Sequence, residues 1–158
     1  METIDGLKRL KAKFQTMANI DMANSVTEVT KFVHRQTKLL VPVDTGELRD
    51  SIHMKIEKNK NDVSGIVFTN NDHAVFQEFG TGVTGDGTYP YKNELDFDLV
   101  YKDKGWVYTP DNGKSFYYTE GIEAQPYMYP SLQIGKKYAQ MKFRKNLITD
   151  LKKISGVK

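Results

Sequence analysis

Ile52-His53-Met54-Lys55-Ile56-Glu57-Lys58, then Asn59-Lys60-Asn61-Asp62, then Val63-Ser64-Gly65-Ile66-Val67-Phe68-Thr69 is the stretch that decides the fold. Ile52, Met54 and Ile56 alternate with His53, Lys55 and Glu57, which is the two-residue period of a half-buried strand. The Asn/Lys/Asp cluster has the chemistry of a turn, and an apolar, β-branched segment returns from it. The stretch predicts a β-hairpin.

Upstream the period lengthens. Ile4, Leu7, Leu10, Phe14 and Met17 recur at steps of three and four, the spacing of one helical face. Met22, Val26, Val29, Phe32 or Val33, and Leu39 or Leu40 continue the pattern. A kink is expected at Asn19-Ile20-Asp21, with Asp21 capping the second part. Neither Gly nor Pro occurs from Leu7 to Val41, and Pro42 stops the run by disfavouring helical geometry in the residue before it.

Downstream, Asn70-Asn71-Asp72 predicts a second turn that includes His73, followed by the apolar stretch Ala74–Phe79. Four glycines between Gly80 and Gly87 predict a long mobile loop. Aromatic runs on either side of Asn112-Gly113 predict a second hairpin from Trp106 to Thr119. After Pro126 and Pro130, the residues Leu132, Tyr138, Met141, Leu147, Leu151 and Ile154 keep roughly helical spacing. Pro130 suits a first helical turn.

The resulting fold class is α+β: an antiparallel sheet built from hairpins, packed by a long N-terminal helix and a C-terminal helix. One domain is expected over 1–158. It is helical over 1–41, β-rich over 52–119 with a mobile loop over 80–104, and helical again over 128–155.

Composition bounds the function. A chain of 158 residues buries about 68–70% of its unfolded surface without a staple. With no cysteine, disulfides, thiolate catalysis and Cys-based zinc or iron–sulfur sites are excluded. No apolar run is long enough to span a bilayer and no secretory signal is visible, so the expectation is a chain without membrane contact that stays in the cytoplasm where it is made. The net charge of +3 is unevenly spread: +3 over 1–61, −7 over 62–123 and +7 over 124–158. Such segregation fits unlike faces that attract one another, a patch for phosphate, or a plain solvated helix.

Residues that could carry chemistry are sparse. His34, His53 and His73 lack metal-ligand spacing, and no nucleophile elbow or phosphate loop occurs. Glu94, Asp96 and Asp98 would share one face of a strand, as a hard-cation site requires, or form a solvated acidic edge. Glu78, between Phe76 and Phe79, reads as a buried acid or as a structural acceptor for the Gly80–Gly82 turn or partner of Arg49. A metal-dependent hydrolase using His73, Glu78 and nearby acids rests on residue types alone. A nucleic-acid-binding accessory protein would rest on the basic C-terminal helix, which lacks interleaved stacking aromatics. No catalytic residue, metal site or cofactor is expected.

Three segments carry more. In Val41-Pro42-Val43-Asp44-Thr45-Gly46-Glu47-Leu48-Arg49-Asp50-Ser51-Ile52, a helix stop runs into a new cap. Asp44 or Thr45 can accept from amides ahead, Gly46 allows a tight entry, and Leu48 and Ile52 point inward. The second is Ala74 to Thr81, with Glu78-Phe79-Gly80-Thr81. The third is Ala124-Gln125-Pro126-Tyr127-Met128-Tyr129-Pro130-Ser131-Leu132.

In this order the three resemble a family of tailed-phage virion proteins, the neck, head–tail joining or tail-completion proteins of long-tailed phages and prophages. His73 and Tyr127 stand where Tyr and Phe look commoner in that family, and 83–104 looks like an acidic, aromatic insertion. The resemblance implies a non-enzymatic ring component at the head–tail junction of the virion, present in the host cytoplasm during assembly. It implies self-association and contact with other neck and tail proteins, and it is compatible with non-specific contact with packaged DNA. The motif residues are Pro42, Asp44, Thr45, Gly46, Leu48, Arg49, Ser51, Glu78, Phe79, Gly80, Thr81, Gln125, Pro126 and Pro130. The expected interface residues are Lys136, Lys137, Arg144 and Lys145 together with Glu94, Asp96 and Asp98, the basic helix meeting acids of the 86–103 segment of a neighbour or acids of a tail protein.

Overall fold

A computed structural model describes residues 8, 12, 22–59 and 62–155. The N-terminal stripe from Ile4 to Met17, the kink at 19–21 and the Asp21 cap lie outside these. Helix α1, Ala23–Leu40, ends where Val41 turns extended (φ −61°, ψ 132°) ahead of Pro42, as the following proline requires. A one-turn helix α2 (Glu47–Asp50) follows. Strands β1 (Ile52–Lys58) and β2 (Val63–Thr69) then pair antiparallel, with Ile52 opposite Thr69 and Lys58 opposite Val63.

Short helices α3 (His73–Phe79) and α4 (Gly82–Gly85) come next, then a 3-10 turn at Lys92–Glu94. Strands β3 (Trp106–Tyr108) and β4 (Tyr117–Thr119) form the second hairpin, β5 is Gly121–Ile122, and helix α5 is Met128–Ser155. The second hairpin turns through Asn112 and Gly113, both at positive φ (55° and 91°), the conformation that favours Asn-Gly there. The architecture is α+β. Among the described residues, no helix is long and apolar enough to cross a membrane.

Helix α1 lies between the first hairpin and α5. It runs antiparallel to α5, since Ser25 meets Asn146, Glu28 meets Lys142, and Phe32 stacks on Tyr138 at 4.2 Å. Phe32 and Tyr138 come from the two stripes expected from periodicity, but much of the remaining packing is made by small and polar groups. Leu39, Leu40, Leu132, Met141 and Leu147 are exposed, whereas Ala23, Ser25, Thr30, Thr37 and Ser131 are buried. Thr30 and Thr37 can be buried because their hydroxyls donate to carbonyls four residues back, at 2.8 and 2.9 Å. Small residues here let backbones approach. A Cβ on Gly65 would sit 1.7 Å from Thr30 Oγ1, and one on Gly135 would sit 2.2 Å from Val33 Cγ2.

Three local readings change. His73 opens α3, with its amide donating to Asn71 Oδ1 at 2.9 Å. The 80–88 segment is a docked turn: Gly80, Gly82 and Gly85 are buried, and their Cα atoms lie against the backbone of Glu120–Ala124 or against one another. Glycines adopt positive φ at 80, 82 and 121, where the 80–85 and 120–124 segments approach closely. Glu94 falls in a 3-10 turn, Asp96 in a bend and Asp98 in irregular chain, so no strand ladder aligns them.

Candidate functional site

The three sequence motifs converge on the N-terminus of α5. Glu78, on the last turn of α3, is 5% exposed. Its Oε2 accepts the amides of Tyr127 and Met128, both at 2.8 Å, and its Oε1 accepts that of Tyr129 at 3.0 Å. The next residue is Pro130, which has no amide hydrogen to satisfy. Ser131 N–H then reaches the Tyr127 carbonyl at 3.4 Å. One carboxylate therefore takes every free backbone donor at this helix start. Its negative charge also faces the positive end of the helix dipole. The partner is neither the Gly80–Gly82 turn nor Arg49. Arg49 instead lies against Asp50, Nε to Oδ1 3.4 Å, at the surface.

The rest of the second and third motifs zip up around that cap. Gln125 N–H donates to the Gln77 carbonyl (2.8 Å), and Gln77 Nε2 donates to Gln125 Oε1 (2.7 Å). Thr81 pairs with Ile122, whose amide donates to Thr81 Oγ1 at 3.2 Å. Phe79 packs edge-on against Tyr89 and Phe97, at 5.0 and 6.0 Å between centroids. Its carbonyl accepts the Tyr101 hydroxyl at 2.9 Å. Pro126 is half-buried beside the cap.

The first motif supplies the floor. Val41, Ile52 and Tyr127 form the buried core cluster, with Leu48, Val67 and Met128 packed against it. Gly46 takes φ 90° at the entry to α2, and Thr45 Oγ1 accepts the Glu47 amide at 3.4 Å; Asp44 is exposed. Ser51 Oγ donates to the Leu48 carbonyl (2.7 Å) and meets Thr69 Oγ1 (2.6 Å), tying α2 to the end of β2. Pro42 is half-buried where α1 ends.

An apolar cleft of about 650 Å³ opens between α1, β2, α3 and α5, with Glu78, Tyr89 and Tyr127 in its wall. The hydroxyls of Tyr89 and Tyr127 are buried and have no hydrogen-bond partner among the described residues. Burial, and then the Glu78 charge, pushes Tyr127 up to about 12 and raises Tyr89 further. Sequence reasoning missed these phenols, since no spacing distinguishes them from other core aromatics.

The histidines stay apart. His34 Nε2 donates to the Ile52 carbonyl at 3.0 Å, while His53 and His73 are exposed. Among the described residues no group of three His, Asp or Glu side chains could hold a metal ion. Glu94 accepts the Tyr129 hydroxyl at 2.8 Å, whereas Asp96 and Asp98 are exposed. Lys136, Lys137, Arg144 and Lys145 are exposed along α5.

Comparison with curated proteins and with solved structures gave no match. Comparison with protein families matched residues 2–80, half of the chain, to HK97-gp10-like, described as "Bacteriophage HK97-gp10, putative tail-component". The match runs through α1, α2, the first hairpin and α3, and ends two residues after Glu78. The chain belongs to this phage tail-component family.

Proposed function

We propose that the protein is a non-enzymatic structural piece of the phage tail or head–tail junction, acting in the neck or in tail completion by assembling into a ring. The observation that carries this reading is the use of Glu78. The acid best placed to be catalytic spends both oxygens on three backbone amides, fixing a 28-residue helix in place. The motif residues around it also build a frame. Such a frame holds two outward surfaces of opposite sign, the acidic 86–103 segment and the basic face of α5.

A ring needs a surface on each subunit that matches a different surface on the next. Segregated charge supplies that difference, speeds encounter and fixes register. Partners are other copies and the neighbouring neck and tail proteins, and the basic helix tolerates non-specific contact with packaged DNA. The test is a phage lacking the protein. Filled heads beside unattached tails are the expected particles. Complete, infectious virions made without it would overturn the reading.

A further inference from the structure

Helix α5 carries an outer stripe that no described residue is recorded as covering. Ile134, Met141 and Ile148 are spaced by seven residues and are 40%, 61% and 45% exposed. That spacing drifts by only about 20° per step. The three therefore line one edge of the helix over about 21 Å. Lys137, Arg144 and Lys145 flank the stripe, and with Met141 and Ile148 they line a shallow surface groove. The side chains of these three cations make no ion pair within the described residues, unlike Lys142 and Lys153, which pair with Glu28 and Asp150.

The complementary surface is in the acidic segment. Leu95 and Leu99 are half-buried and Phe97 leans on Phe79, leaving Asp96, Asp98 and Val100 outward. Val100 is 93% exposed, and no hydrogen bond or ion pair within the described residues engages Asp96 or Asp98. Lys137 to Lys145 covers about 12 Å of helix axis, and five residues span at most about 13 Å, so the bent Asp96–Val100 segment is short enough to lie between them.

We propose that the outer stripe of α5 receives the Asp96–Val100 segment of a second copy of this chain, Val100 seating on Met141 between Asp–Lys/Arg pairs. This rests on the ring-assembly reading and names its contact. The occupant is another copy because the segment is pinned at the far end of α5 within its own chain: Glu94 holds Tyr129, two turns before Lys137. Matching the patches between copies staggers the subunits head to tail, a heterologous contact that closes into a ring when the rotation permits.

The chain has no cysteine, so introduced thiols report cleanly. Val100→Cys and Met141→Cys variants are mixed under mild oxidation, and self-association is followed by native mass spectrometry at low and high salt. A V100C–M141C cross-linked species is expected, with little V100C–V100C product. Asp96→Lys/Asp98→Lys and Lys137→Glu/Arg144→Glu should each weaken self-association by about tenfold or more, and combining them in one chain should restore it. If the wild type assembles while neither reversal matters and no mixed cross-link forms, this contact is wrong and the ring reading stands. If the wild type stays monomeric at every concentration and salt, both this contact and self-assembly fall.

Discussion

Removing the Glu78 carboxylate should release the N-terminus of α5. The change to make is Glu78→Ala, with Glu78→Gln as the conservative control. Three hydrogen bonds of 2.8, 2.8 and 3.0 Å are lost together in the alanine variant. Hydrogen bonds to charged groups contribute about 1.5–3 kcal/mol each. The simple sum overshoots, because the amides of Met128 and Tyr129 are only part-buried and recover some hydration. Loss of the anion from a helix start costs about 0.3–2 kcal/mol on top. A fall of about 3–5 kcal/mol is expected, a large share of the roughly 5–15 kcal/mol of a typical domain.

At about 2–4 °C per kcal/mol for a chain of this size, Tm should drop by about 6–20 °C. Glu78→Gln should fall in between, because its carbonyl still accepts two amides while its NH2 opposes the third. Urea unfolding measures the loss, provided the slope is unchanged between variants. Hydrogen exchange should show the largest loss of protection at residues 127–129. Stability of Glu78→Ala within about 1 kcal/mol of wild type, with those amides still protected, would refute the capping argument.

Other perturbations test the packing and the surface. Gly135→Ala should destabilise by about 1–3 kcal/mol despite alanine's better helix propensity, because the new Cβ meets Val33 Cγ2 at 2.2 Å. In a Val33→Ala background the same change should stabilise, and equal effects in both backgrounds would reject the close-approach role. Tyr127→Phe removes a buried hydroxyl with no partner and should raise stability by up to about 1 kcal/mol in thermal melts; a loss of that size would contradict this. Tyr127 ionises at about 12 in the folded chain against 10.0 unfolded. Its contribution is complete below pH 10.0 and is lost as pH rises toward 12. Urea midpoints should therefore decline across that window, by up to about 1.4 kcal/mol per pH unit for this phenol, and less steeply in Tyr127→Phe; a flat profile speaks against it. Limited trypsin digestion should cut first at Lys92, Lys102 or Lys104, which are exposed and outside the strands and long helices; first cuts within the hairpins would count against the expected ordering.

Much of the fold is legible in local patterns. The two-residue period at Ile52–Ile56, Pro42 after the apolar run, Asn112-Gly113 between aromatics and Pro130 after Pro126 each impose a local backbone geometry, and each appears in the structure. The face on which α1 meets α5 was legible only in part: Phe32 and Tyr138 of the apolar stripes stack there. Periodicity weights residues by hydrophobicity, whereas close approach selects for size: Gly135 lets α5 approach Val33 and Gly65 lets the hairpin approach Thr30, while Leu39, Leu40, Leu132 and Leu147 remain outside. The glycine-rich segment misleads for a related reason. Glycine signals freedom to a sequence reader, but at 80, 82 and 85 it gives room to another stretch of backbone.

The site divides in the same way. Sequence alone determined the order of the three segments along the chain, the absence of thiol chemistry and the opposed charges of the middle and the end of the chain, because each is fixed by residue identity and spacing. Only the tertiary structure decided what Glu78 is for, because its three donors lie 49 to 51 residues away. A carboxylate's role depends on which groups surround it in space, and that is set when α3 is brought against the start of α5.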